Sequence, residues 1–198
     1  IGLSYSIGNA LAAKLDQKDT HIFTVMGDDE SDEGQVWEAA MTAAKYNIDN
    51  LTLILDRNFI QQDSYTEKIM PLDESLDGDE LSEMWKDASR WKTGDKWRSF
   101  GWNVIEVDGH RIEQVSDAIS RAKSVKGMPS IIIARTIKGK AVEHMEDNPQ
   151  WHGKAPTPAL VPVINQELDS QFMISPSILA GDMKNQENEL TRCHAGVD

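Results

Sequence analysis

Three short stretches of the chain run apolar or nearly so: Ile22–Met26, Leu51–Leu55 and Ser130–Ala134. Runs of that length between polar and turn residues read as strands covered on both faces, as in a parallel sheet enclosed by helices. Asn103–Val107 reads as a fourth strand. Between the first two, Gln35–Tyr46 repeats Val36, Ala39, Ala40, Ala43 and Ala44 at helical spacing. Between the last two, Arg111–Lys123 sets Ile112, Val115, Ile119 and Ala122 on one stripe, and Gly127 and Pro129 then close the helix and open the next strand. Leu3, Ile7, Leu11 and Leu15 form a further amphipathic run at the start. The alternation predicts an α/β fold, a doubly wound and mostly parallel sheet with helices on both faces.

Two segments break this rhythm. Residues 71–95 are acidic, carry Trp85 and Trp91, and read as a solvated insertion whose tryptophans pack on the domain or on a partner. Asp73, Ser75, Asp77, Gly78 and Asp79 resemble the opening of a calcium loop, but its twelfth position is Met84 where a bidentate Glu is required, so the pattern fails. Pro156, Pro158 and Pro162 mark residues 157–172 as a stiff linker. The chain starts at Ile1 inside a helical run and stops at Asp198 inside another, so it reads as a fragment from an incomplete reading frame.

Composition narrows the function. With 20 Lys+Arg against 33 Asp+Glu, the formal charge of −13 disfavours a general nucleic-acid or anionic-membrane surface. The single cysteine, Cys193, excludes an internal disulfide framework and fits a cytoplasmic protein. No apolar run approaches the roughly 20 residues that span a bilayer.

The candidate chemistry sits at two strand ends. Gly27-Asp28-Asp29 follows the first strand, and Asp56-Arg57-Asn58 follows the second. Open α/β sheets bind ligands outside the carboxyl ends of their strands, so the Asp28 carboxylate and the Asn58 amide oxygen can face one crevice. Both are hard oxygen donors suited to Mg²⁺, and the helix beginning near Gln35 offers free N–H groups to a phosphate. The competing reading is that Asp28 caps the next helix or forms a turn. Neither a P-loop nor a dinucleotide-binding glycine motif is present.

Gly27–Asp63, GDDESDEGQVWEAAMTAAKYNIDNLTLILDRNFIQQD, resembles the thiamin-diphosphate signature of the transketolase family, a Gly-Asp-Gly triplet followed by Asp-x-Asn after the next hydrophobic strand. GLSYSIGNALAAKLD (2–16), FGWNVIEVDGH (100–110), RTIKGKA (135–141) and WHGKAP (151–156) are similar to the same family. The resemblance covers Gly2–Pro156, residues 1–156 forming the thiamin-diphosphate-binding domain. It is nearest to the separate N-terminal subunit of split bacterial and archaeal transketolases. It implies transfer of a two-carbon ketol unit between sugar phosphates, with thiamin diphosphate and Mg²⁺, for which Ca²⁺ or Mn²⁺ can substitute. By the same resemblance, Asp28, Asn58 and the Ile60 carbonyl hold the metal. Gly27, Asp28, Asp29, Asn58, Ile60, Lys138 and His152 bind the cofactor, and His152 also has a catalytic role. The pyrimidine-activating glutamate belongs to a later domain or partner subunit, so a homo- or hetero-oligomer is implied and the chain alone is incomplete.

Three positions depart from the family pattern: Asp29 stands for the last glycine of the triplet, Ala141 for a glycine after Lys140, and Ser64 for another after Gln-x-Asp. Two alternatives follow, a 1-deoxyxylulose-5-phosphate synthase-like enzyme or a non-catalytic partner subunit that has lost the cofactor. WHGKAP and EGQVWEA favour transketolase over the former, and Asp29 is the argument for the latter. Finally, Met173–Asp198 resembles the first strand and helix of ribulose-phosphate 3-epimerase, a TIM barrel; the other reading makes it an extension of the first domain.

Overall fold

A computed structural model describes residues 1–74 and 88–173, with the backbone alone for 171–173. The order is α1 (Gly2–Leu15), β1 (Ile22–Gly27), α2 (Gly34–Lys45), β2 (Leu51–Arg57), α3 (Thr66–Ile69), α4 (Thr93–Ser99), β3 (Asn103–Asp108), α5 (Ile112–Ser124), β4 (Ser130–Arg135) and α6 (Val161–Met173). The four strands form one parallel sheet in the order β1-β2-β4-β3.

Side chains alternate across the sheet, and each face has its own cover. Leu51, Leu53, Leu55, Ile131 and Ile133 meet Leu3, Ile7 and Ala10 of α1, Val36 and Ala40 of α2, and Trp97 of α4. On the opposite face, Ile132 and Ile105 pack on Ala118 and Ala122 of α5. The small residues of α2 and α5 let the helices lie close to the sheet. Trp97 is fully buried and touches the rings of Trp37 and Trp102, while Trp102 donates to the Ala40 carbonyl.

Some expectations change. The first strand is covered on one face only: Thr24 and Met26 are buried, but Phe23 and Val25 are exposed, Val25 by 72%. Those two point to the face that α5 covers farther along the sheet, over β3 and β4. Leu15 lies outside its stripe and is exposed, its place being taken by Ala10 and Ala13. Residues 157–172, expected to be a linker, carry α6, whose first turn holds Pro162 where a missing N–H costs nothing. The calcium-like positions from Ser75 to Met84, and the epimerase-like tail from residue 174 onward, lie outside the described residues. Among the described residues no helix is long and apolar enough to cross a membrane.

Candidate functional site

The parallel register sets the carboxyl edge of the sheet as a row. Gly27 lies opposite Asp56, Arg57 opposite Arg135, and Arg135 opposite Asp108, which puts Asp28, one residue beyond β1, beside Arg57. Asp28 and Arg57 are both fully buried, with Arg57 Nη1 2.6 Å from Asp28 Oδ2. The same oxygen accepts the Phe59 N–H at 2.7 Å, so Asp28 directly organises the loop that carries Asn58 and Ile60.

That loop is strained in a defined way. Phe59 has φ 65°, a left-handed conformation that bulky residues rarely adopt. It is held there by burial, by the Arg57 guanidinium 3.9 Å above its ring, and by the Thr66 N–H on its carbonyl. Around the bend, Asn58 Nδ2 donates to Asp56 and Asn58 Oδ1 accepts from Ile60 N. The rungs of the small hairpin run from Gln61 N to Ser64 O and from Thr66 N to Phe59 O, which leaves the Ile60 carbonyl outside the ladder.

Arg57 spends all five of its N–H groups. Besides Asp28, it donates to Thr66 Oγ1 at 2.8 Å, to Glu67, and twice to Asp73 Oδ2. Arg135 reaches Asp73 and Glu106 and stacks 3.7 Å over Trp91. Four carboxylates thus surround two guanidinium groups, an excess of two negative charges in a largely buried cluster. Burial raises the Asp28 carboxyl to about 6 against the pull of Arg57, and the nearby Asp29 charge adds to the rise. Asp73 sits below its usual value, because Arg57, Thr93 and Arg135 outweigh the burial that would raise it.

A divalent cation suits this arrangement. Asp28 Oδ1 is buried without a hydrogen-bond partner, the orphaned acceptor a metal would satisfy, and the charge excess matches two positive charges. Among the described residues no cluster of three or more His, Cys, Asp or Glu is set to hold a metal. The expected donors, one carboxylate, one amide oxygen and one carbonyl, are instead of the kind that suits Mg²⁺ completed by phosphate and water.

Hydrogen bonds of neighbouring residues tie the segments that carry Lys138 and His152 to this end of the sheet. Thr136 N donates to the Arg57 carbonyl and Thr136 Oγ1 bonds Asp56, so the Lys138 loop leaves β4 beside the Asn58 loop. Tyr65 OH then binds the Asp147 carbonyl, drawing in the segment that leads to His152. Both side chains are half-buried, and His152 Nδ1 is buried without a partner, although neither side chain hydrogen-bonds Asp28 or Asn58. Ala141, in one glycine position, has φ 74°. Asp29 and Ser64, in the other two, do not have positive φ, so their β-carbons meet no backbone strain. The Asp29 carboxylate folds over Gly27, where a methyl group would strike it. Asp28 caps no helix by its side chain; the turn Asp29–Asp32 intervenes before α2.

Asp73 corrects the reading of its segment as solvated. It is buried, and its Oδ1 accepts from Lys92 N, Thr93 N and Thr93 Oγ1, holding the start of α4. Sequence reasoning missed Glu67, Asp73 and the part played by the two arginines. The available signal was an arginine ending each of two apolar central strands, which demands buried acids. A cavity of about 440 Å³ opens beyond Arg135, lined by Trp91, Glu106, Asp108, His110 and Lys140. His110 accepts the Ile137 N–H there.

The fold and this edge place the chain among the doubly wound α/β proteins that gather ligands at strand carboxyl ends. The chain belongs to the transketolase family, its residues 8–180 matching the family described as "Transketolase, thiamine diphosphate binding domain". It is 38% identical over 170 residues to the 6-deoxy-6-sulfo-D-fructose transketolase subunit of Clostridium sp. (strain MSTE9), covering 86% of this chain and 55% of that protein. With an apulose-4-phosphate transketolase subunit of Phocaeicola vulgatus it shares 35% over 156 residues, 79% of this chain and 49% of the other. Human transketolase is 34% identical over 180 residues, 90% and 26% of the respective chains. The solved transketolase of Campylobacter jejuni has the same fold, with a TM-score of 0.61 at 24% identity over 75% of this chain and 22% of that one. The chain spans about half the length of the first two relatives.

Proposed function

We propose that this chain is the diphosphate-holding part of a transketolase subunit that works with a partner subunit to transfer a two-carbon ketol unit between sugar phosphates. The observation that carries the reading is the orphaned Asp28 Oδ1 beside the Asn58–Ile60 loop, in a cluster short of two positive charges. Asp28, Asn58 and the Ile60 carbonyl would hold Mg²⁺, and through it the diphosphate of thiamin diphosphate. The cofactor, when bound, supplies the electron sink for carbon–carbon bond cleavage.

The chain's own groups have narrower tasks. Lys138 brings a compact positive charge to an anion. His152, whose Nδ1 is buried without a protein partner, would exchange a proton with substrate or cofactor at that atom. A partner is supported by the relatives that are named as subunits, two of which bear names specifying sulfo-deoxyfructose or apulose phosphate.

Calorimetric titration with thiamin diphosphate, with and without Mg²⁺, tests the reading. Saturable binding that requires Mg²⁺ is expected, and Asp28→Ala or Asn58→Ala should remove it. Ketol transfer should appear only when a partner subunit is added. Binding that is absent with Mg²⁺ and partner present would make the chain a scaffold subunit instead.

A further inference from the structure

We infer that Arg57 is a positioning residue for Asp28, and that Glu67 and Asp73 are the counter-charges that let an arginine serve beside a cation. The inference rests on the reading of Asp28 as a metal ligand. Arg57 Nη1 and Phe59 N, at 2.6 and 2.7 Å, both occupy Asp28 Oδ2. The carboxylate is therefore pinned through one oxygen and has only the orphaned Oδ1 to offer. A metal taken there meets one oxygen in a fixed orientation rather than a freely turning carboxylate.

Such an arrangement has an inherent conflict, because Arg57 carries a positive charge next to the atom that must attract another. Its other N–H groups resolve the conflict. Nη2 meets Glu67 Oε1 and Asp73 Oδ2, while Nε also meets Asp73. All three acids are fully buried at their side chains, where screening is weak. Glu67 is itself held by the N–H groups of Asp73 and Glu74 on Oε2. Asp73 is tied to Thr93 and to Arg135. Asp73 thereby becomes part of the apparatus that sets metal affinity, although it is not itself a ligand.

Partners standing behind a metal ligand typically change affinity by about 10- to 100-fold when removed. Mn²⁺ binding to the intact 198-residue chain, followed by electron paramagnetic resonance without added cofactor, reads this directly. Circular dichroism on the same samples reports folding. Asp28→Asn should abolish saturable binding; if it binds Mn²⁺ as the unaltered chain does, the ligand reading and this inference fall together. Glu67→Gln should raise the Mn²⁺ dissociation constant about ten-fold, and Glu67→Asp, which keeps the charge, should recover most of that loss. Arg57→Lys, which keeps the charge but loses the planar fork, should also weaken binding about ten-fold and covers the case in which Glu67→Gln does not fold. If Asp28→Asn abolishes binding while folded Glu67→Gln or Arg57→Lys binds within about two-fold of the unaltered chain, the positioning role is overturned and the ligand reading stands.

Discussion

The molecule has two interiors. One is apolar, centred on Leu53, Ile131 and Trp97 between the sheet and α1, α2 and α4. The other lies at the carboxyl edge, where Arg57, Asp28, Glu67 and Asp73 are buried just as completely. Apolar burial is non-directional, and about 25 cal/mol per Å² accrues whichever well-fitting side chain supplies the area. Buried charge gains nothing comparable: desolvation offsets the attraction, and the arrangement holds only while every partner is present. The first interior stabilises the fold, whereas the second uses part of that stability to fix a carboxylate.

The contrast breaks most sharply under truncation. Asp73→Ala should cost about 3–5 kcal/mol, because it leaves Arg57 Nε buried without a partner and removes the acceptor for the N–H groups at the start of α4. In the apolar interior, Leu53→Ala should cost about 2–5 kcal/mol but Leu53→Met less than about 1.5 kcal/mol. Urea unfolding of the three variants measures this, and a mild Asp73→Ala would remove the distinction between the interiors.

Next in size, Asp29→Gly should tighten thiamin diphosphate binding about five-fold and reduce its dependence on high Mg²⁺. Asp29 lies near enough to raise both Asp28 and Asp32, so its charge reaches the edge. A like charge within a few ångströms of an anion costs about 1 kcal/mol even at water-like screening. Cofactor titration across a Mg²⁺ series checks it, and superimposable curves would show that charge at position 29 is irrelevant.

Asp147 extends the comparison to the loop that Tyr65 ties to this edge. Burial, with Glu146 adding to it, raises its carboxyl to about 6 from 3.8. The folded chain therefore holds this proton more tightly than the unfolded chain, and stability falls as pH rises from about 4 through 6. Asp147→Asn should add about 1 kcal/mol at pH 8, after allowance for solvent screening, and nothing near pH 4. Asparagine tolerates the φ of 50° found there. Unfolding at about pH 4.5, 6 and 8 tests the slope, with a pH-independent gain pointing to some other cause.

The smallest effect is expected at Ala141. Its φ of 74° costs a β-carbon about 1–2 kcal/mol, while glycine loses about 0.5–1 kcal/mol of chain entropy, so Ala141→Gly should gain about 0.5–1 kcal/mol. A thermal shift of the opposite sign would show that the alanine methyl is packed usefully.

How much of this was readable follows the same division. The four strands were legible to within two residues because burial writes a continuous apolar run. The helices α2 and α5 were legible because Val36, Ala39, Ala40 and Ala43, and Val115, Ile119 and Ala122, recur at helical spacing, although Ile112, expected on the second stripe, is exposed and Ala118 is buried instead. Asp28 and Asn58 were legible as polar residues at two strand ends, and the structure brings their loops together through Phe59 N. The open face of β1 was not, since a strand's composition does not tell how far a neighbouring helix extends. Nor was the Arg57 cluster: Asp73 is 16 residues from Arg57 and Arg135 is 62 from Asp73, and no local pattern links such distant partners.

The strand order has a consequence in time. Among the described residues β3 hydrogen-bonds only to β4, which follows it in the chain by a full helix. During synthesis β1 and β2 can pair once Arg57 has emerged, whereas β3 stays without its neighbour until Arg135 has been made. Assembly is thus built from non-local parallel pairings, the kind that folds slowly. Amide exchange on stalled nascent chains should find β1 and β2 protected before Arg135 has emerged and β3 only afterwards, with the carboxyl edge completed last, when Arg135 comes to rest beside Arg57.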